Sequence, residues 1–297
     1  MLSICIPIYN FDVTTLVKSL IKEKSQLNDI VEILLIDDGS SLHREKNREL
    51  AGACSYIELK TNIGRSKIRN LFINYAKQPF LLFLDCDSLL TSTDFIANYL
   101  NEIKKGVLIC CGGRIYPEQS PSIHQRLSWK YGIISESKPA SVRNQNPNSS
   151  FMTNNFIIQK ALFNTIKFDE RLTKYGHEDT LFGYDLKKHQ FSIVHIENPI
   201  LNGALETNEF FLQKTEVAIQ NLVLILNFTN DDLNFYKDIH LLRTYLKIKP
   251  FRSVFLILVK IYNPIIRILI LRGVVNIHLF NLYKLGVFIR TKKKLRL

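Results

Sequence analysis

The stretch Phe80–Ser88, FLLFLDCDS, decides the fold. Its first five residues are apolar without a break, too short for a typical helix, and they read as a strand buried on both faces. The run stops on Asp85-Cys86-Asp87-Ser88, so a buried strand delivers two carboxylates at its carboxyl end. Two earlier runs behave alike: Leu2–Pro7 leads into Ile8-Tyr9-Asn10, and Ile30–Ile36 into Asp37-Asp38-Gly39-Ser40. Between them, Leu16, Val17, Leu20 and Ile21 form a helical stripe. Arg65–Ala76 places Ile68, Leu71, Phe72, Tyr75 and Ala76 on one helix face. Strands at Ser55–Leu59 and Val107–Cys111 and a helix at Ser92–Ile103 complete the alternation. It predicts an α/β fold, a mostly parallel sheet flanked by helices, whose ligands sit beyond the carboxyl ends of the strands.

One cluster of Asp, Gly and Ser is the ordinary composition of a turn. Three at one sheet edge make a site, because carboxylates gathered there repel unless something positive joins them. Asp85 and Asp87 are separated by one residue, which in an extended strand points both side chains the same way. Two hard oxygen ligands on one side suit Mg²⁺ or Mn²⁺ shared with a phosphate. Arg65, Lys67 and Arg69, in the first turns of their helix, are candidate partners for an anionic ligand.

Farther out the pattern changes. Residues 112–150 are dominated by Pro, Ser, Asn and Gln and read as loops. Asn155–Ile158 and Ser192–Ile196 read as strands, and Glu178–Lys188 and Glu209–Phe228 as helices. Of the 297 residues, 46% are apolar and 22% charged, which excludes a disordered chain or a disulfide-stapled miniprotein. The five cysteines have no CxxC spacing, so free thiols in a reducing compartment are expected. No signal peptide is visible, and the protein is expected to stay in the cytosol.

The net charge of +12 is localised. From Leu241 to Leu297 there are thirteen Lys or Arg and no acid, leaving the first 240 residues with 26 basic against 27 acidic side chains. Phe251–Arg272 is strongly apolar, but Arg252, Lys260, Pro264 and Arg267 interrupt it, so a membrane span is not expected. On a helix, Arg252, Ser253, Lys260, Asn263 and Arg267 would share one face. Phe255, Leu258, Val259, Ile261, Tyr262 and Ile266 would cover the rest. That arrangement predicts a segment lying in the interface of an anionic membrane, contacted through residues 249–297. No nucleic-acid partner is expected, since no aromatic–basic RNA motif or zinc finger is present.

Taken in order, IPIYN (6–10), IDDGS (36–40), NIGRSKIRN (62–70), FLDCDS (83–88) and YGHEDTLFGYDLKK (175–188) resemble glycosyltransferase family 2, with its GT-A fold. The later pattern FDERL…HIENP is similar to bacterial enzymes that build cell-surface polysaccharide. The resemblance implies an inverting, metal-dependent transferase of the hexosyl or N-acetylhexosaminyl type. Its donor would be a UDP-sugar and its acceptor a glycan or lipid-linked glycan. Pro7, Tyr9, Asp37 and Asp38 would frame the nucleotide base, with Asp38 the preferred contact. Asn62, Lys67 and Arg69 would lie beside the nucleotide. Asp85 would lie near the ribose and metal, and Asp87 would bind Mn²⁺ or Mg²⁺ on the diphosphate. Asp179, with Glu178 beside it, would be the general base. At the start of a helix its carboxylate is favoured by the dipole and is expected to be ionised at neutral pH.

One position departs from the resemblance. Asn202 stands where a histidine metal ligand is expected, and an amide oxygen is a poorer ligand for softer ions. The organisation expected is a GT-A domain over 1–206, with a nucleotide half (1–112) and an acceptor half (113–206). A helical membrane-associating region over 207–297 would follow, holding the protein on the cytoplasmic face of the inner membrane. The rival is a non-catalytic binding or scaffold protein of the same fold with an impaired metal site. A nucleotidyltransferase finds no GxxxxGK-type phosphate loop to support it.

Overall fold

The computed structural model is described for residues 1–294; residues 295–297, including Arg296 of the basic tail, lie outside the described residues. The chain divides into two compact units. The first comprises Met1–Tyr116, Glu136–Thr173 and Glu178–Ala204; the second comprises Pro117–Ser135, Lys174–His177 and Leu205–Leu297.

In the first unit the strands are β1 (Leu2–Ile8), β2 (Val31–Asp37), β3 (Ser55–Glu58), β4 (Phe80–Leu84), β5 (Ser88–Leu90), β6 (Ile109–Cys111), β7 (Arg114–Ile115), β8 (Asn155–Gln159), β9 (Val194–His195) and β10 (Ile200–Asn202). Its helices are α1 (Thr14–Lys24), α2 (Arg44–Arg48), α3 (Arg65–Leu71) and α4 (Phe95–Lys104). The main sheet has the order β3-β2-β1-β4-β8-β6-β9. Its first four strands are mutually parallel, β8 runs antiparallel to both neighbours, and β6 pairs parallel with β9. The mostly parallel α/β expectation holds.

The period of two along β1 sorts the core. Leu2, Ile4, Ile6 and Ile8 turn to one face, with Leu16, Val17 and Leu20 of α1 and Phe95, Ile96 and Tyr99 of α4. Cys5 turns to the other face, with Leu34, Ile36, Leu81 and Phe83, under Ile68 and Phe72. Fully burying each such Leu or Ile contributes about 1.5–3 kcal/mol, which is why the continuous apolar runs were legible as central strands. Glu23, buried on α1, accepts from the Ile96 and Ala97 amides at 2.6 and 3.2 Å and so caps the start of α4.

Two sequence expectations need correction. Residues 112–150 are not mere loop: they carry β7, α5 (Arg126–Tyr131), a π-helical turn at Gly132–Glu136 and α6 (Ala140–Arg143). Tertiary bonds hold part of this stretch in place of a periodic pattern. Arg143 donates to the carbonyls of Lys138, Cys111, Gly112 and Ile196, and Asn144 exchanges two bonds with the His195 backbone. The second sheet, β5-β10-β7, was also unforeseen, because strands of two or three residues have no readable period. Two more helices belong to the first unit, α7 (Lys160–Thr165) and α8 (Glu178–Lys188), the latter matching its expected bounds.

The second unit is helical: α5, α9 (Asn208–Phe228), α10 (Leu233–Asp238), α11 (His240–Ile248), α12 (Arg252–Leu271) and α13 (Ile277–Lys294). Thr207 caps α9 by accepting from Phe210 N at 3.2 Å. The faces of α12 differ from those expected. Asn263 is buried, crowding Gly286 of α13, while Val259, Ile266 and Ile270 turn inward. Val254, Ile257, Leu258, Ile261, Ile265 and Ile268 form an exposed apolar row, each 45–66% accessible. Not every tail cation faces water: Lys292 is buried against Asp231 and Tyr236, and Arg267 pairs with Glu216 at 3.1 Å. By length and composition alone, His240–Leu271 is a 32-residue helical run able to cross a membrane, its most apolar 18-residue window having a mean hydropathy of 2.1.

Candidate functional site

Three neighbouring parallel strands end together. β2 stops at Asp37, β1 at Ile8 just before Tyr9, and β4 at Leu84 just before Asp85. The clusters read separately in the sequence therefore stand side by side at one sheet edge.

Their roles at that edge differ. Asp37 is fully buried, accepting from Ser40 N at 2.6 Å and from the Tyr56 hydroxyl at 3.1 Å. Asp38 accepts from the Ile63 and Gly64 amides at 2.7 and 3.2 Å, and burial raises its carboxyl above the ordinary range against those two donors. Both carboxylates order loops here, and Asp38 ties the end of β2 to the entrance of α3. Gly39 makes that approach feasible. Its φ is +71°, and a Cβ there would lie 2.7 Å from the Thr61 carbonyl carbon. Asn10, unnoticed in the sequence as a bonding residue, accepts from the Ser41 and Leu42 amides and ties the β1 loop to the β2 loop. Pro7 is half-buried within β1, Tyr9 is 52% exposed, and Asn62 and Lys67 are exposed on the loop and first turn around α3.

Arg69 is the buried member of the basic trio, at 2% exposure. Its Nη2 donates to Asp85 Oδ1 at 2.8 Å. Burial alone would raise the Asp85 carboxyl, but Arg69, Arg65 and Arg114 outweigh it and hold the group below its usual range. Asp87 goes the other way. Burial raises its carboxyl, Arg114 at 3.4 Å pulls it down, Asp85 pushes it up again, and the net is a rise. Arg114, on β7, was invisible in the sequence because nothing in GGRIYP marks it. It also lies 3.6 Å from Glu136 and packs over the Tyr116 ring.

Asn202 sits in β10 opposite Ser88, and the next amide, Gly203 N, donates to Asp87 O at 2.8 Å. The pairing thus places Asn202 one residue along from Asp87; its side chain is buried, and its Oδ1 accepts from Ala204 N at 3.4 Å. Among the described residues no three His, Cys, Asp or Glu gather in a way that could hold a metal ion. What the site offers is two carboxylates and a neutral amide, hard oxygens that fit Mg²⁺ or Mn²⁺ only if a ligand's phosphates complete the shell. His195 is structural: its Nδ1 meets Arg143 at 2.7 Å and its Nε2 meets Pro147 O at 2.9 Å, with burial lowering its pKa to about 4.

Asp179 is the second residue of α8, after Glu178, whose Oε1 lies 3.6 Å from Arg65 Nη1. Here the electrostatic expectation fails. Burial pushes the Asp179 carboxyl up to about 7, and the Glu178 carboxylate adds to the rise. The Thr180 amide and hydroxyl, which donate to Oδ1 at 2.6 and 3.2 Å, oppose it incompletely. Desolvation outweighs the favourable helix end, so Asp179 is not simply ionised at neutral pH.

The loop just before it belongs to the helical unit. Asn221 of α9 donates to the carbonyls of Lys174, Tyr175 and Gly176 at 2.7, 3.2 and 3.2 Å. Gly176, at φ +102°, lies so close to α9 that a Cβ would come within 2.3 Å of the Ala218 Cβ.

Residues 3–168 match the description glycosyl transferase family 2. No curated protein matches the chain. Among solved structures, a mannosyltransferase from Pyrobaculum calidifontis in complex with GDP-Man and Mn²⁺ is similar at 13% identity and a TM-score of 0.55, over 78% of this chain and 64% of that one. Glucosyl-3-phosphoglycerate synthase from Mycobacterium tuberculosis, with Mg²⁺ and UDP, is similar at 14% identity and a TM-score of 0.53, over 76% and 78%. S. aureus TarS is aligned at 19% identity and a TM-score of 0.48, over 76% of this chain. The chain spans only 40% of that TarS chain.

Proposed function

The chain belongs to glycosyl transferase family 2, and we propose that it moves a sugar from a nucleotide-sugar, UDP-linked, onto a glycan or lipid-linked acceptor, with inversion, in the making of surface polysaccharide. The observation that carries this is the end of β4, where Asp85 and Asp87 stand against Arg69 and Arg114 beside the ends of β1 and β2. Solved structures of the same fold hold Mn²⁺ or Mg²⁺ with a nucleotide, which supports a divalent ion here. Asp85 and Asp87 would hold it, with Asn202 a weak neutral ligand. When bound, it neutralises charge on the departing diphosphate.

The chain's own groups do the rest. Arg69 keeps Asp85 ionised. Tyr9, Pro7, Asn62 and Lys67 line the edge where the nucleotide lies, and Asp38 acts on it through the Ile63–Gly64 loop. Asp179, its carboxyl pushed up to about 7 by burial, takes the proton from the acceptor hydroxyl, since a general base is most effective when its pKa is near the operating pH. Glu178, beside it, pairs with Arg65. The test is initial-rate transfer beside calorimetry. Asp179→Asn should keep UDP binding and lose about 10²-fold or more in turnover. A variant within a few-fold of wild type overturns the assignment.

The departure at Asn202, with no third ionisable ligand among the described residues, favours one rival, a binding or scaffold protein without catalysis. Donor hydrolysis measured with and without Mn²⁺ separates the two.

The partner surface is an anionic membrane, on the cytoplasmic face of the inner membrane. The exposed row on α12 would enter the acyl boundary. A groove of 460 Å³ between α12 and α13, edged by Lys260, Arg290, Lys293 and Lys294, would meet the phosphates above it.

A further inference from the structure

Five buried polar side-chain atoms without a partner belong to residues around the Asp85–Asp87 turn. They are Arg69 Nε, Ser88 Oγ, Arg114 Nε, and both Oδ1 and Nδ2 of Asn154. Buried polar groups are nearly always hydrogen-bonded, and an exception calls for an explanation such as a ligand. Asn154 is the sharpest case, since it is 4% exposed and neither end of its amide is satisfied.

Its direction follows from the sheet. β8 pairs antiparallel with β4, with Leu84 opposite Asn155, and Asp85 N donates to Asn154 O at 3.1 Å. Residues opposite one another in an antiparallel pair project from the same face. The Asn154 side chain therefore leaves the sheet on the side of Asp85. Asn155 goes the other way and is fully used, accepting from the Tyr99 hydroxyl at 2.5 Å and donating to the carbonyls of Gly113 and Asn198. Two adjacent asparagines thus have opposite fates, one fully bonded in the core and one buried without a partner on the Asp85 side of the sheet.

We propose that Asn154 binds a hydroxyl of the transferred sugar and is a specificity-determining residue of this site. A sugar hydroxyl is both donor and acceptor, and an amide meets both. A diphosphate oxygen only accepts and would leave Oδ1 unmet. Asp85 and Asp87 already face arginines, which leaves the neutral amide as the natural partner of a neutral ligand.

This inference rests on the nucleotide-sugar reading, and the experiment keeps the two apart. Calorimetry compares wild type and Asn154→Ala with UDP, UDP-glucose, UDP-N-acetylglucosamine and GDP-mannose in Mn²⁺, beside thermal unfolding without ligand. The variant should bind UDP as wild type does and bind the accepted nucleotide-sugar about 10-fold more weakly. Its unfolding temperature should be unchanged or higher, because removing an unsatisfied buried amide relieves a penalty. A lowered unfolding temperature would reveal a structural partner and overturn the proposal. So would an equal loss for UDP and the nucleotide-sugar, or no loss for either. If wild type binds none of the four probes, the nucleotide-sugar reading itself falls, and this inference with it.

Discussion

The guanidinium of Arg114 lies 3.4 Å from Asp87 Oδ2 and 3.6 Å from Glu136 Oε2, so one cation from a two-residue strand serves two carboxylates. Arg114→Met should strand both. The expected loss is about 2 kcal/mol, below the ~3–5 kcal/mol of a fully buried pair because both acids keep some solvent. Denaturant unfolding checks the value. Mn²⁺ with UDP should restore more stability to the variant than it adds to wild type, since a second cation then occupies the vacated carboxylate.

Asp179 gives a pH prediction with a definite sign. A base must be ionised, so turnover should rise as pH passes upward through about 7. Stability moves the other way. The folded value lies above the ordinary 3.8, so stability is fully present below about 4 and lost as pH rises through about 7. Thermal unfolding of Asp179→Asn should match wild type near pH 4 and exceed it at pH 8. A variant less stable at pH 8 would contradict the burial argument.

Asn221 holds three successive carbonyls of the loop that runs into Glu178 and Asp179. As a positioning residue it should govern turnover rather than donor affinity. Asn221→Ala is expected to lower kcat ~10- to 100-fold, with UDP affinity by calorimetry unchanged. Asn221→Asp should be worse, because a carboxylate facing carbonyls cannot donate. A fall in UDP affinity alongside kcat would point to general misfolding instead.

The apolar row on α12 predicts a division of labour in membrane binding. Ile257→Asp with Ile261→Asp should abolish sedimentation with phosphatidylglycerol vesicles at any salt. Lys260→Gln with Arg290→Gln should remove only the salt-sensitive part. Point changes are the cleaner test, because deleting α12 and α13 would strip α9 of neighbours such as Arg267 and Tyr283, which both meet Glu216.

The central sheet was legible because β1, β2 and β4 are buried on both faces and so are continuous apolar runs that end on polar clusters. Arg114 and Asn154 were not legible. Each owes its place to a strand pairing between residues far apart in the chain, Arg114 with Ile200 and Asn155 with Leu84, which no local spacing encodes. Asp179 was located but its ionisation was misjudged, since the helix end is a local property and the burial around it is not. Asn263 was assigned to a wet face for a similar reason: a helical wheel shows polarity, whereas Gly286 on α13 leaves a recess that only the fold reveals.

The interleaving of the two units bears on recombination. Lys174–His177 and Pro117–Ser135 group with the C-terminal helices although sheet-unit sequence surrounds them. A chimaera joined once, at residue 205, would set a foreign α9 against a native loop. Its counterpart of Asn221 would face the wrong carbonyls, and any residue bulkier than alanine at position 218 would collide with Gly176. An exchange that works has to carry three segments together, so the helical unit and the short stretch before Asp179 must drift as one inheritance.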